Sequence, residues 1–163
     1  TSLAAILAAG ALAPLTLAYI PDKPVTERDR QIRRANQLCW SLWGMRAIAQ
    51  QPPGRIMSFV DHGPRIITLT PHSAVTGPYH RNGEQIVDVM RFWRGSAEQA
   101  HAIARKYRSD YVLSCPMSSS STIFMAEAPK GFYVQLQKGQ VPGWLTPVPL
   151  PEGSPFRMWR VVA

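Results

Sequence analysis

The chain has 163 residues, 45% of them apolar and 17% charged, with two cysteines and a formal net charge of +8. That length fits one domain whose core needs no metal or disulfide staple, and the apolar share excludes an intrinsically disordered chain. Charged residues fall short of the roughly 25% usual in soluble domains, and the deficit is concentrated at one end.

Residues 1–21 carry no charge, and residues 3–20 read LAAILAAGALAPLTLAYI. As a helix this stretch would cover about 27 Å, close to a bilayer core of roughly 30 Å. It is therefore expected to be the end of a transmembrane span, with residues 22–163 forming a soluble domain. The chain is then expected to be part of a longer protein, beginning inside its last membrane helix. A signal peptide would need a basic region before the apolar stretch, although Ala11-Leu12-Ala13 resembles a cleavage site. The alternative is a buried core helix rich in Ala and Leu, and Pro14 is tolerated in either as a kink.

Charge begins at Asp22 and Lys23. Thr26 is placed to cap a helix, and Ile32, Ala35, Cys39, Leu42, Trp43 and Ala49 recur at helical spacing. These predict one amphipathic helix over 27–49, ended by Gln51-Pro52-Pro53-Gly54. Residues 55–60 (RIMSFV) and 65–70 (RIITLT) are β-rich runs separated by Asp61-His62-Gly63-Pro64, which predicts two strands and a tight turn. A short extended piece near Ala74 and a polar loop over 77–83 follow. Ile86, Val87, Met90 and Trp93 share one face of a helix over 84–94, closed by Gly95. Ser96 and Gln99 have the form of a capping box opening a second helix. Residues 110–115 (DYVLSC) predict a strand, 118–122 a low-complexity loop, and 122–125 another strand. Residues 132–137 read as a helical turn or a strand, Gly143-Trp144-Leu145 as irregular chain among prolines, and 156–162 as a final strand. The order predicts an α/β domain with a mixed sheet flanked by helices.

Polar side chains crowd into one stretch: Asp61, His62, His72, Tyr79, His80, Arg81 and Asn82. The histidines lack the fixed spacing of a metal site, so no metal is expected. His72 beside Ser73, and Asp61 beside His62, point to opposite faces of an extended segment, so no catalytic pair is expected from either. Asp61 fits either a ligand contact or a turn cap that accepts backbone amides. Phosphate-loop, dinucleotide and calcium-loop motifs are absent from the sequence. Lys and Arg are scattered without a nucleic-acid motif, which predicts a solvated surface attracted to anionic lipid headgroups rather than a nucleic-acid partner. Cys39 and Cys115 lie 76 positions apart. Paired, they imply an oxidising compartment; separate, they are two buried thiols. Spacing alone leaves both readings open.

Taken in order, Phe59-Val60-Asp61-His62-Gly63, residues 65–70, Tyr79-His80-Arg81-Asn82-Gly83, Ser96-Ala97-Glu98-Gln99-Ala100 and Asp110-Tyr111-Val112-Leu113 form a familiar series. It resembles the membrane-proximal soluble domain of C-type glycosyltransferases, polytopic enzymes that use polyprenyl-phosphate-linked sugars. In their oligosaccharyltransferase branch a strand ends in Trp-Trp-Asp-Tyr-Gly, where the tryptophans help hold the acceptor sequon. Asp61 and Gly63 match that motif, and Phe59 and Val60 replace the tryptophans. The chain is also similar to a group of bacterial membrane proteins carrying PHS and PYHRN, here Pro71-His72-Ser73 and residues 78–82; there, pairing of Cys39 with Cys115 would suit a periplasmic domain.

The resemblance implies a periplasmic domain of a bacterial inner-membrane protein that helps bind the acceptor or the polyprenyl-phosphate-linked sugar through Asp61, His62, His72 and residues 79–82. The family's metal-binding and catalytic carboxylates lie in loops between membrane helices, so no catalytic residue and no cofactor is expected in this chain. A divalent metal would belong to the rest of the parent. The alternative is a non-catalytic periplasmic domain that grips a protein partner with the same loops.

Overall fold

The computed structural model describes residues 24–162. The uncharged residues 3–20, expected to span a membrane, lie outside that range. Among the described residues no helix is long and apolar enough to cross a membrane.

Thr26 caps helix α1 (Glu27–Cys39) as expected: its hydroxyl accepts from the Asp29 amide at 3.1 Å, and the Asp29 carboxylate accepts from the Thr26 amide at 2.9 Å. The single helix predicted over 27–49 is instead two. Ser41 ends the first by donating its hydroxyl to the Leu38 carbonyl at 2.6 Å, and it caps α2 (Leu42–Ala49) by accepting from the Gly44 amide at 3.0 Å. Serine offers the backbone this local alternative to a continuous helix. The turn is tight enough to require glycine at 44, where a Cβ would lie 2.7 Å from the Leu38 carbonyl oxygen.

Five strands form one sheet, β1 (Arg55–Met57), β2 (Ser73–Ala74), β3 (Tyr111–Ser114), β4 (Leu145–Val148) and β5 (Arg157–Val161), in the order β2-β1-β3-β5-β4. The first three run parallel, and β5 pairs antiparallel with both β3 and β4. The mixed α/β architecture expected from the sequence is therefore present.

Two local expectations are overturned. Residues 65–70 do not form a strand but most of helix α3 (Gly63–Leu69), the crossover joining parallel β1 to β2. A tight hairpin cannot join parallel strands, so topology overrides the β preference of RIITLT. Pro64 stands in the first turn, where its missing N–H costs nothing, and Thr68 and Thr70 return their hydroxyls to the Pro64 and Ile66 carbonyls at 2.8 and 2.5 Å. Residues 118–122, predicted as a loop, and 122–125, predicted as a strand, instead supply the cap and most of helix α6 (Ser119–Glu127). Ser118 caps it by accepting from the Ser121 amide at 3.3 Å.

The helices α4 (Gly83–Arg94) and α5 (Ala97–Lys106) match their predicted positions, including the reciprocal Ser96–Gln99 cap. They are clamped by Lys106, whose ammonium reaches Asp88 at 2.7 Å and Glu84 at 2.6 Å. The Lys106 hydrogen bond holds the Asp88 carboxyl below its ordinary range against the opposing effect of burial. Helix α7 (Phe132–Gln137) resolves the helix-or-strand ambiguity there. Strand β4, unpredicted because of its prolines, lies at the sheet edge, where Pro147 needs no ladder donor.

The core is aromatic beneath the loops. Phe59, 1% exposed, has ring centroids at 5.0 Å from Trp93, 5.4 Å from Phe124 and 5.7 Å from Tyr133. It brings β1, α4, α6 and α7 to one point, directly before the turn that holds Asp61.

Candidate functional site

After Phe59 the chain makes a 3-10 turn, Val60–His62, and enters α3 at Gly63. Glycine is required at 63: a Cβ would overlap the Thr76 carbonyl oxygen and lie 2.8 Å from the Gly77 Cα. The turn is thus pressed against backbone on one side and leaves Asp61 pointing into a cleft of about 450 Å³ on the other. Asn36 and Gln37 of α1 and Trp40 just after it form one wall, and Ser118, Ser119 and Ser120 at the start of α6 form the opposite wall.

Several hydrogen bonds set the walls. The Asn36 amide donates to the Ser119 hydroxyl at 2.7 Å and accepts from the Ser119 backbone N–H at 3.0 Å. Ser120 donates to Asp61 Oδ2 at 3.1 Å, so the carboxylate faces the N-terminal end of α6, where the helix dipole favours negative charge. Asp61 Oδ1 has no hydrogen-bond partner among the described residues. Met117, with φ of +60°, makes the sharp change of direction between β3 and α6 in a region that non-glycine residues seldom occupy.

A disulfide joins Cys39 at the end of α1 to Cys115 just after β3, with Cα atoms 6.3 Å apart. The bond fastens the two walls together. The pairing that spacing left open is therefore formed.

His62 is 2% exposed, between Phe59 and Phe156 at centroid distances of 5.4 and 5.7 Å. Burial lowers its pKa to about 4, against the opposing pull of the neighbouring Asp61 charge. The ring is thus neutral at pH 7. Ser58 donates its one hydroxyl proton to the Leu113 carbonyl at 3.0 Å, so its contact with His62 Nδ1 at 3.0 Å must be donated by the ring. That assigns the proton to Nδ1 and leaves Nε2 without a hydrogen-bond partner among the described residues.

This burial has a pH consequence. Between pH 6.5 and 4 the unfolded chain binds a proton at residue 62 that the folded chain refuses, so stability falls as pH drops through that window, by about 3 kcal/mol in all. His62→Gln, which keeps a donor for Ser58, is expected to flatten this part of the profile in thermal melts at pH 7 and pH 4.5. An unchanged acid slope would show that His62 is not the titrating group.

The other expected site residues lie elsewhere. His72 is 4% exposed; its Nε2 meets the Ile48 carbonyl at 2.9 Å and its Nδ1 the Gly54 amide at 3.1 Å, which ties α2 to the start of β1. Tyr79 and the 3-10 turn His80–Asn82 form a separate surface beyond Gly77 and do not line the Asp61 cleft. The structure thus brings Asp61 and His62 together but not with His72, Tyr79, His80, Arg81 or Asn82. Reading the sequence missed Asn36, Gln37, Trp40 and the three serines. The signal that could have found them was the cysteine pair, because linking 39 to 115 places 36–40 opposite 118–120.

The cleft presents the Asp61 carboxylate as an acceptor, beside serine hydroxyls and the Asn36 and Gln37 amides that both donate and accept. It suits a ligand that brings O–H or N–H donors to the carboxylate. Among the described residues no three His, Cys, Asp or Glu side chains lie close enough to hold a metal ion.

No protein-family model matches the sequence, and no curated protein does. The fold is similar to two crystal structures, both of the C-terminal globular domain of oligosaccharyltransferase from Archaeoglobus fulgidus. One superposes with a TM-score of 0.51 and 14% identity, over 85% of this chain and 99% of that one. The other gives 0.48 and 16%, over 88% and 99%. At this identity the likeness is one of fold.

Proposed function

We propose that the chain is a soluble domain of a membrane glycosyltransferase-like protein, and that its Asp61 cleft helps hold hydroxyl groups of the acceptor or of the polyprenyl-phosphate-linked sugar. One observation carries the reading. Asp61, whose carboxylate takes a hydrogen bond from Ser120 on one oxygen, lines with His62 a cleft whose walls are held by the Cys39–Cys115 bond. The fold shared with an oligosaccharyltransferase domain supports the glycosyl-transfer context. The disulfide supports an oxidising compartment, the periplasm or its equivalent outside the cytoplasm. Donor activation and bond formation belong to parts of the parent outside this chain.

The test is sugar transfer by the full-length parent in membranes. A hydrogen bond to a charged group is worth about 1.5–3 kcal/mol, so Asp61→Ala is expected to slow transfer roughly ten- to a hundredfold. Ser120→Ala, which only frees the carboxylate from its orienting donor, should cost less. Wild-type rates in Asp61→Ala would overturn the reading.

A further inference from the structure

Four large apolar side chains stand exposed within six residues at the corner where α1 turns into α2: Leu38 at 37%, Trp40 at 41%, Leu42 at 67% and Trp43 at 51%. Exposed apolar residues scattered singly need no explanation, but four of them at one helix–helix corner do. The segment that forms the corner is basic. Residues 30–60 contain five arginines, no lysine and no acidic residue, and Asp61 is the acidic side chain that shares a cleft with Trp40.

Arg34 and Arg46 lie within about a turn of these side chains, whereas Arg30 pairs with Glu27 at 3.2 Å and Arg55 reaches the Tyr107 carbonyl at 2.9 Å. Arg30, Arg34 and Leu38 follow one another at four-residue spacing along one stripe of α1. Arg46 lies one turn beyond Leu42 and Trp43 on α2, and Arg65 stacks 4.9 Å over the Trp40 ring. Tryptophan and leucine ringed by arginine is the composition of surfaces that rest at the headgroup level of a bilayer, where indole rings are enriched and arginine stems reach up to phosphate. The uncharged residues 3–20 precede α1 by only a short run. Because α1 is about 20 Å long, the corner meets a membrane near that stretch only if α1 lies along the surface.

We propose that the α1–α2 corner is a membrane-docking surface for an anionic bilayer, with Leu42 and Trp43 entering the headgroup region and Arg34 and Arg46 pairing with lipid phosphates. The surface is separate in its chemistry from the proposed sugar-binding role, and either can fail without the other. Docking would hold the Asp61 cleft, whose wall includes Trp40, at a fixed height above the membrane.

The test is tryptophan quenching by brominated phosphatidylcholine, with the full chain reconstituted into vesicles containing about a third phosphatidylglycerol. Trp93 and Trp159 are 0% and 5% exposed, and half-buried Trp144 stacks between His101 and Phe132, so the signal lost on replacing Trp40 and Trp43 is the one that reports on the corner. Strong quenching is expected in the natural chain and a loss of most of it in Trp40→Phe/Trp43→Phe. Quenching should also fall in Leu42→Ser combined with Arg34→Gln and Arg46→Gln, which keeps both probes and changes only exposed positions. Each arginine removed should weaken docking roughly fivefold at low salt. Raising salt to about 0.5 M, where the screening length is near 4 Å, should act in the same direction. Absence of quenching in the natural chain would overturn the proposal, as would quenching unchanged in the triple variant. So would a dimer in sedimentation that shields the tryptophans, which would make a second copy the occupant.

Discussion

Replacing Cys39 and Cys115 together by alanine is expected to cost about 4 kcal/mol of stability, the chain-entropy value for a loop of this size, and to lower the melting temperature by about 12 °C. The bond spans 76 positions, and both residues are fully buried. The reduced pair would still pack as small apolar groups, so the loss falls mainly on the constraint of the unfolded chain. A local effect should accompany the global one. The bond ties Asn36 and Trp40 to the chain that enters α6 at Ser118, so amide exchange should quicken at 36–40 and 118–121 more than in α4 or α5. Calorimetry and hydrogen exchange on the natural chain, the reduced chain and the double alanine variant measure both. Equal melting temperatures would mean that the bond closes no loop that matters to folding.

Phe59→Ala should be of similar size, about 3–5 kcal/mol for an aromatic deleted from a packed core. Its ring is the common neighbour of His62, Trp93, Phe124 and Tyr133. The cavity would open directly beneath the turn carrying Asp61. Phe59→Leu, which fills most of the space, should recover a large part of the loss. Urea titrations should show a lower midpoint at unchanged slope, the mark of a stability change rather than an altered unfolded state. A cost below 1 kcal/mol would mean that the cluster closes around the missing ring.

Elements whose ends are written in local chemistry were legible from sequence alone. The Thr26 and Ser96 caps, the apolar face of α4 and the alternation in β5 all state their structure within a few residues. Elements decided by distant partners were not. RIITLT favours a strand locally and becomes α3 because β1 and β2 are parallel, a fact that no residue in the segment encodes. TIFM becomes helical because Ser118 caps it, and a serine run reads equally well as loop. Pro147 hid β4 because a proline is admissible only at a sheet edge, and edge position is a property of the whole sheet.

The site divides in the same way. Asp61, His62 and Gly63 stand out as a polar turn after a strand, and the overlap that a Cβ at 63 would cause explains that glycine. The two walls come from residues 36–40 and 118–120, about 80 positions apart in the chain and joined by the disulfide. His72 looked like a ligand contact because it is polar and near the turn. Its two ring nitrogens instead meet the Ile48 carbonyl and the Gly54 amide inside the fold.

Whether the Asp61 cleft receives hydroxyl donors is tested most directly by following backbone amide shifts of the isotopically labelled chain during titration with a methyl glycoside and with a short serine-bearing peptide. Cleft binding predicts shifts concentrated at residues 36–40, 60–62 and 118–121 with at least one of the two, and their disappearance in Asp61→Ala at unchanged fold. Shifts confined to other surfaces, or shifts in the cleft that persist in Asp61→Ala, would contradict it.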